Sequence, residues 1–190
     1  MKHLVTPRLL MRPFAESDFD DLFCLYSDPE IMRYIPPFRP LTEEETTESL
    51  ERMIVDFNKS GCCEFAVIER KEKKFIGWCG LQQDENSDLP ALCFLFTPDA
   101  LAKGYAIEAL LQMLRTAFSE WGFEKIAALI HSENRTSIHV MEKIGMTYEK
   151  RTGSYDKVMV LYSIVKPNAA TDSIFEHRHQ NSPKLHLHEV

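Results

Sequence analysis

No run of about 18 apolar residues occurs anywhere in this 190-residue chain, so no segment reads as a helix able to cross a bilayer. The opening, MKHLVTPRLLMRPF, lacks the unbroken apolar stretch and small-residue cleavage site of a secretory signal. Cysteine is sparse and unpatterned. The five residues Cys24, Cys62, Cys63, Cys79 and Cys93 are odd in number and show no Cys-x-x-Cys spacing, which argues for buried thiols in a reducing compartment rather than a disulfide framework or a cysteine metal site. Positive charge is in deficit: 29 acidic against 22 basic residues leave a formal net charge of −7, which repels a polyanion and speaks against nucleic acid as a partner. The densest basic cluster, ERKEKK from Glu69 to Lys74, alternates in sign between two strand-like runs and reads as a solvated hairpin tip. No internal repeat is visible. These absences predict a cytoplasmic protein without membrane, nucleic-acid or metal partners, and the acidic balance favours a cationic substrate such as an amine.

What is present is enough apolar sequence, 44% of the chain, to bury one substantial core and too little length for two. Residues 1–167 read as a single domain. RLLMRPF (Arg8 to Phe14) alternates as a first strand; Ser17 is the expected cap of a helix carrying Phe19, Leu22, Phe23 and Tyr26 at helical spacing. Asp28 caps a short helical turn that ends before IPPFRP. Thr42 and Glu45 form a Thr-x-x-Glu capping box ahead of the stripe Leu50, Met53, Ile54 and Phe57, with Gly61 as the expected stop. CEFAVIE, KFIGWCGLQ and LPALCFLF follow as three strands, the last apolar enough to be covered on both faces, with DENSD (Asp84 to Asp88) as the turn before it.

Thr97-Pro98-Asp99 breaks the third of these strands, and a long helix begins near Gly104, carrying Ala109, Leu110, Met113, Leu114, Ala117 and Phe118 on one side. KIAALIH (Lys125 to His131) is again strand-like, so the crossover helix predicts a parallel pair. A further helix runs from about Asn134 to Gly145, and strands around Thr147 to Lys150 and over Lys157 to Val165 complete a mixed α/β sheet. The tail from Asn168 to Val190 is polar, holds four of the seven histidines, and reads as a flexible or subunit-contacting appendage, with a homodimer as the partner. Its His-x-His pairs lack the Cys or carboxylate spacing that would complete a metal site.

One stretch carries chemistry. After the buried strand, LAKGYA (Leu101 to Ala106) leads into a helix whose start has no capping side chain. A helix N-terminus presents unpaired N–H groups and roughly half a positive charge, so a diphosphate can replace the cap. Gly104 removes a side chain where the ligand approaches, Ala106 keeps the next inward position small, and Lys103 adds a cation at the rim. A plain strand-to-helix connection explains the same residues, and Asn134 reads equally as an N-cap.

Thirty residues on, ENRTSIHVMEKIGM follows, and with it the chain resembles the GNAT superfamily of acyl-CoA-dependent N-acyltransferases, in particular its RimJ/RimL-like branch. Lys103-Gly104-Tyr105-Ala106 followed by Ile107-Glu108-Ala109 is similar to that branch's pyrophosphate loop. Asn134, Ser137, Glu142, Lys143, Ile144, Gly145 and Met146 fall in register with its later Asn-x-x-Ser and Glu-Lys-Leu-Gly-Phe pattern. TPRLLMRPFAESDFDDL and FIGWCGL are similar to the branch as well, and the resemblance spans about residues 6 to 166. Leu101 and Ala102 depart from it, Ala102 standing where glycine is frequent; alanine there is unstrained only at negative φ.

The resemblance implies a twisted mixed sheet of about six to seven strands flanked by helices, with acetyl-CoA as co-substrate between the two parallel strands. Backbone groups of Phe94, Leu95, Phe96 and Thr97 would pair with the pantetheine arm. Ala102, Lys103, Gly104, Tyr105 and Ala106 would hold the pyrophosphate, Asn134 and Ser137 would approach the arm, and Lys143 would reach the outer phosphate. The implied reaction is direct attack of a primary amine on the thioester, the acceptor being a protein N-terminus, an amino acid or a small amine. Ser137 is the candidate proton donor to the leaving thiolate by the same resemblance. Glu64 is the candidate base, chosen from Glu64, Glu69, Tyr34 and Tyr155 on plausible strands or loops. A non-catalytic acyl-CoA-binding or regulatory module stands as the alternative.

Overall fold

Strands Leu4–Val5 (β1), Leu9–Arg12 (β2), Glu64–Glu69 (β3), Lys74–Gln83 (β4), Pro90–Phe96 (β5), Lys125–His131 (β6), Thr147–Ser154 (β7) and Lys157–Val165 (β8) form one sheet in a computed structural model of the chain. Residues 3–60, 64–83 and 89–167 are described. The expectations for Gly61, Cys62, Cys63, the Asp84 to Asp88 turn and the tail 168–190 lie outside them. The sheet order is β1-β2-β3-β4-β5-β6-β8-β7, eight strands rather than six or seven. The added strand is the two-residue β1, too short to show an alternation. Every pairing is antiparallel except β5 with β6.

Helices cover both faces. Phe19–Tyr26 (α1), Pro29–Met32 (α2) and Glu43–Ser60 (α3) pack Leu22, Leu25, Met32, Leu50 and Met53 onto Ala66, Phe75, Trp78 and Leu95. On the other face Pro98–Ala102 (α4), Tyr105–Ser119 (α5) and Arg135–Ile144 (α6) bury Ala109, Leu110, Met113, Leu114 and Met141 against Phe65, Cys79 and Ile126. Leu110, Met113 and Leu114 are fully shielded, so each is worth about 1.5–3 kcal/mol of burial.

The local reasons are visible in the hydrogen bonds. The Thr42 hydroxyl accepts from the Glu45 N–H at 3.2 Å and the Glu45 carboxylate from the Thr42 N–H at 2.9 Å, closing the predicted capping box. Asp28 caps α2 as expected, accepting from Glu30 N–H at 2.8 Å. Ser17 does not cap α1. It lies in a single 3₁₀ turn, Glu16–Asp18, and the buried Asp18 carboxylate instead accepts from the Ala15 N–H at 2.9 Å and from both terminal nitrogens of Arg12. β2 ends at Arg12 rather than Phe14, before Pro13, which has no N–H to give the ladder.

A bulge in β4 shapes the middle of the sheet. The register with β3 jumps from Val67 opposite Gly77 to Ile68 opposite Phe75, and Gly77 sits at φ +143°. A Cβ there would lie 2.3 Å from the Leu95 carbonyl oxygen, so only glycine lets β4 and β5 approach this closely.

Candidate active site

The parallel pair is where the sheet opens. Along the seven-residue strands β5 and β6 a single register pair, Ala91 with Ala127, holds them together, whereas β4 and β5 pair from Gly77–Phe96 to Gln83–Pro90. The Thr97 N–H donates to Ile76, and residues along an antiparallel strand alternate between facing one neighbour and the other. Leu95 and Thr97 therefore direct their peptide groups into β4, and Phe94 and Phe96 direct theirs toward the gap on the β6 side. A gap at the carboxyl ends of parallel strands is where open α/β sheets take ligands.

From Phe96 the chain runs through α4 to Gly104, which adopts φ +71° and precedes α5 with no side-chain cap. Ala102 lies inside α4 and is absent from the residues with positive φ, so the strain that alanine would have brought there does not arise. The Lys103 and Gly104 amides already donate, to Asp99 and Leu101, and Glu108 N–H is the first to close on the Gly104 carbonyl. The first-turn amides of Tyr105, Ala106 and Ile107 lie between these bonds, and amides at a helix start are donors able to meet an anion. A Cβ at Gly104 would have nothing within 4 Å, so the turn is open on that side.

Beside the β5–β6 gap lies a cleft of about 760 Å³. Buried Tyr26 and Trp78 line its inner part with Ser49, Arg52 and Gln82 also in the lining; Phe94, Asn134 and Ser137 line it as well, and Tyr34, His131 and the exposed Tyr155 lie at the mouth. The mouth is aromatic: the His131 ring centroid is 5.2 Å from Tyr34 and 6.0 Å from Phe38, and Phe38 is 6.2 Å from Tyr155. Tyr155 and Asp156 both have positive φ and form the two-residue turn between paired Ser154 and Lys157, which projects Tyr155 over the cleft. Burial pushes the Tyr26 hydroxyl up to about 12, with the nearby Glu64 charge adding to it against a hydrogen bond from Ser49. Burial likewise raises the Cys93 thiol to about 12, so both stay protonated at neutral pH.

The remaining expected site residues fall in different places. Phe94, Asn134 and Ser137 come together in the cleft; the Asn134 side chain accepts from Ser137 N–H at 3.1 Å, capping α6 and fixing the serine at its first turn. Lys103, Gly104, Tyr105 and Ala106 form the turn at the start of α5, apart from the cleft lining. Lys143 is exposed in the last turn of α6 and does not line the cleft. Glu64, the expected base, lies below two other side chains. It is 1% exposed and accepts from Gln82 at 2.6 Å and Arg52 at 3.2 Å, both of which line the cleft. Glu69 is farther still, accepting from the Lys71 and Glu72 N–H groups at the hairpin tip.

Sequence reading missed the residues that hold the α5 turn. Glu108, buried at its first turn, accepts from the Thr6 hydroxyl at 2.6 Å, the Arg8 N–H at 3.0 Å and the Arg8 Nε at 2.5 Å. A partner about 100 residues distant leaves no local signal. His131 and Arg52 were missed for a similar reason, since each ends or lines an element whose pattern is explained by packing alone.

Comparison with known proteins gives this geometry a family. Residues 8–147 match the Acetyltransferase (GNAT) domain. The chain is 33% identical over 167 residues to the uncharacterised protein YkkB of Bacillus subtilis, covering 84% of this chain and 93% of that one. It is 34% identical over 156 residues to the uncharacterised N-acetyltransferase YnaD of the same organism, covering 82% and 86%. Among solved structures, a GNAT-family acetyltransferase from Bacillus anthracis superposes with a TM-score of 0.76 at 28% identity, over 87% of this chain and 99% of its own. The chain belongs to the GNAT family of acetyltransferases, enzymes that use acetyl-CoA as co-substrate.

Proposed function

We propose that this acetyltransferase acylates a primary amine that enters through the aromatic mouth of the cleft, by direct attack on the thioester. The observation that supports it most is the single-pair contact between β5 and β6, which leaves the Phe94 and Phe96 peptide groups facing a gap that continues into the cleft. Acetyl-CoA supplies the activated acyl group. Phe94 and Phe96 pair with the pantetheine arm, and the Tyr105, Ala106 and Ile107 amides hold the pyrophosphate with Lys103 at the rim. Phe94 N–H is also the donor for the oxyanion that develops on the carbonyl. Ser137, held by Asn134, passes a proton to the departing thiolate and regains one from solvent. Lys143 answers the outer phosphate.

Glu64 keeps Gln82 and Arg52 in place rather than taking the proton itself. The amine reacts as its neutral form and passes its proton to solvent through the open cleft. The logarithm of kcat/KM should then rise with unit slope until the acceptor's own pKa. A plateau near neutral pH would reveal an enzyme base instead. Among the described residues Cys24, Cys79 and Cys93 are free thiols, which fits a reducing, cytoplasmic setting. Among the described residues no helix is long and apolar enough to cross a membrane.

The test is to incubate the purified protein with acetyl-CoA and a panel of peptides with free N-termini, amino acids and small amines while following released thiol. Acceptor-dependent thiol release supports the proposal. Saturable acetyl-CoA binding with no release above background would favour the non-catalytic module.

A further inference from the structure

A carboxylate in the first turn of an anion-binding helix is a contradiction that needs resolving. Glu108 stabilises the N-terminus of α5 through the helix dipole, but its charge and the carbonyl of Lys103 both lie beside the amides that are to receive a pyrophosphate. One side chain answers both. The Arg8 guanidinium gives Nε to Glu108 at 2.5 Å and Nη1 to the Lys103 carbonyl at 3.0 Å, and lies 4.5 Å from the Tyr105 ring centroid. Arg8 is itself fixed from behind, where the Arg70 Nη1 donates to the carbonyls of Thr6 and Pro7 at 2.9 and 3.2 Å. The Thr6 hydroxyl completes the set on Glu108.

We propose that Arg8 is a positioning residue for the pyrophosphate turn: it neutralises Glu108 and engages the Lys103 carbonyl, so that the donors of Tyr105, Ala106 and Ile107 face the anion without an opposing charge. This rests on the reading of that turn as the acetyl-CoA site. Burial alone would raise the Glu108 carboxyl, yet the hydrogen bonds from Thr6 and Arg8 and the arginine charge bring it below its ordinary value, so the carboxylate is ionised and its charge needs an answer. A role confined to holding the fold together would affect every ligand alike. A role at the anion affects only ligands that carry the pyrophosphate.

Calorimetric Kd values for CoA, 3′-dephospho-CoA and pantetheine, measured on the full chain, separate these. Arg8→Met is expected to weaken CoA and dephospho-CoA about tenfold while leaving pantetheine unchanged. Glu108→Gln should bind both pyrophosphate ligands at least as well as the parent, because the cation remains, and the double substitution should return within about threefold of it. Arg8→Lys, which keeps the charge, should preserve the preference for CoA over pantetheine and serves if Arg8→Met does not fold. Equal losses for all three ligands, a loss confined to CoA but spared in dephospho-CoA, or a double variant no better than Arg8→Met would overturn the proposal. A parent protein that binds pantetheine as well as CoA would remove the anion site and the brace with it. A parental preference that Arg8→Met leaves intact would remove the brace alone.

Discussion

A β-carbon at position 104 would meet no atom within 4 Å, yet the backbone there sits at φ +71°, so two substitutions separate strain from charge. Gly104→Ala should cost about 1–2 kcal/mol of stability for the left-handed conformation and leave CoA affinity close to the parent's. Gly104→Asp carries the same strain and adds a carboxylate next to the pyrophosphate donors, so CoA binding by calorimetry should weaken at least about tenfold. Equal affinities for the two variants would place the anion elsewhere. Ser137 allows a similar separation from its neighbour. Ser137→Ala keeps the backbone N–H that Asn134 accepts from, so the helix cap survives and only the hydroxyl is lost; kcat should fall about 100-fold with CoA affinity and melting temperature unchanged. Asn134→Ala removes the cap itself and should cost about 1 kcal/mol in denaturant unfolding.

At the scale of elements, the capping box of α3 ties stability to pH. The Arg39 guanidinium first, and the Thr42 N–H second, hold the Glu45 carboxyl down at about 2 from an ordinary value of 4.5. A carboxyl held lower in the folded state stabilises only while ionised, so its contribution is full above the unfolded value and fades as pH falls toward the folded one. Melting temperatures should therefore drop between about pH 5 and pH 2 in the parent, and Glu45→Gln should show a shallower drop over the same range. What made this element legible was local chemistry: Thr42 and Glu45 are three residues apart, and the Leu50, Met53, Ile54 and Phe57 stripe has the helical period. The same holds for α5, α6 and the three central strands, and for the turn at Gly104, whose missing cap is a feature of sequence. The illegible parts lack a local signature. β7 runs on to Ser154 through a turn of Tyr155 and Asp156, without the Asn-Gly or Asp-Gly that marks such hairpins. Glu64 sits on a strand that alternates as a half-exposed one would, and only the packing of α3 puts Arg52 over it. The β4 bulge is intermediate. Its glycine is visible, but that a Cβ at Gly77 would lie 2.3 Å from the Leu95 oxygen is a tertiary fact; Gly77→Ala should destabilise by more than about 2 kcal/mol, read by chemical unfolding.

The whole molecule is two sheet halves, β1 to β5 and β6 with β8 and β7, joined at one parallel pair. Antiparallel ladders hold each half, so the seam between them is the part of the sheet with the fewest backbone bonds, and a ligand lying in the seam supplies partners that the strands do not give each other. CoA binding should for that reason act on stability and on local protection together. At a hundredfold excess over Kd it adds about 2.7 kcal/mol, which for a chain of this size corresponds to a rise of about 5–10 °C in melting temperature. Hydrogen exchange locates the gain. The Leu95 and Thr97 amides, turned into β4, should be protected with or without ligand, while those of Phe94 and Phe96, turned toward the seam, should exchange faster in the free protein and slow on addition of CoA. Protection that rises equally at all four amides would mean that CoA tightens the fold as a whole without bridging the two halves, and protection unchanged at Phe94 and Phe96 would put the pantetheine arm outside the gap.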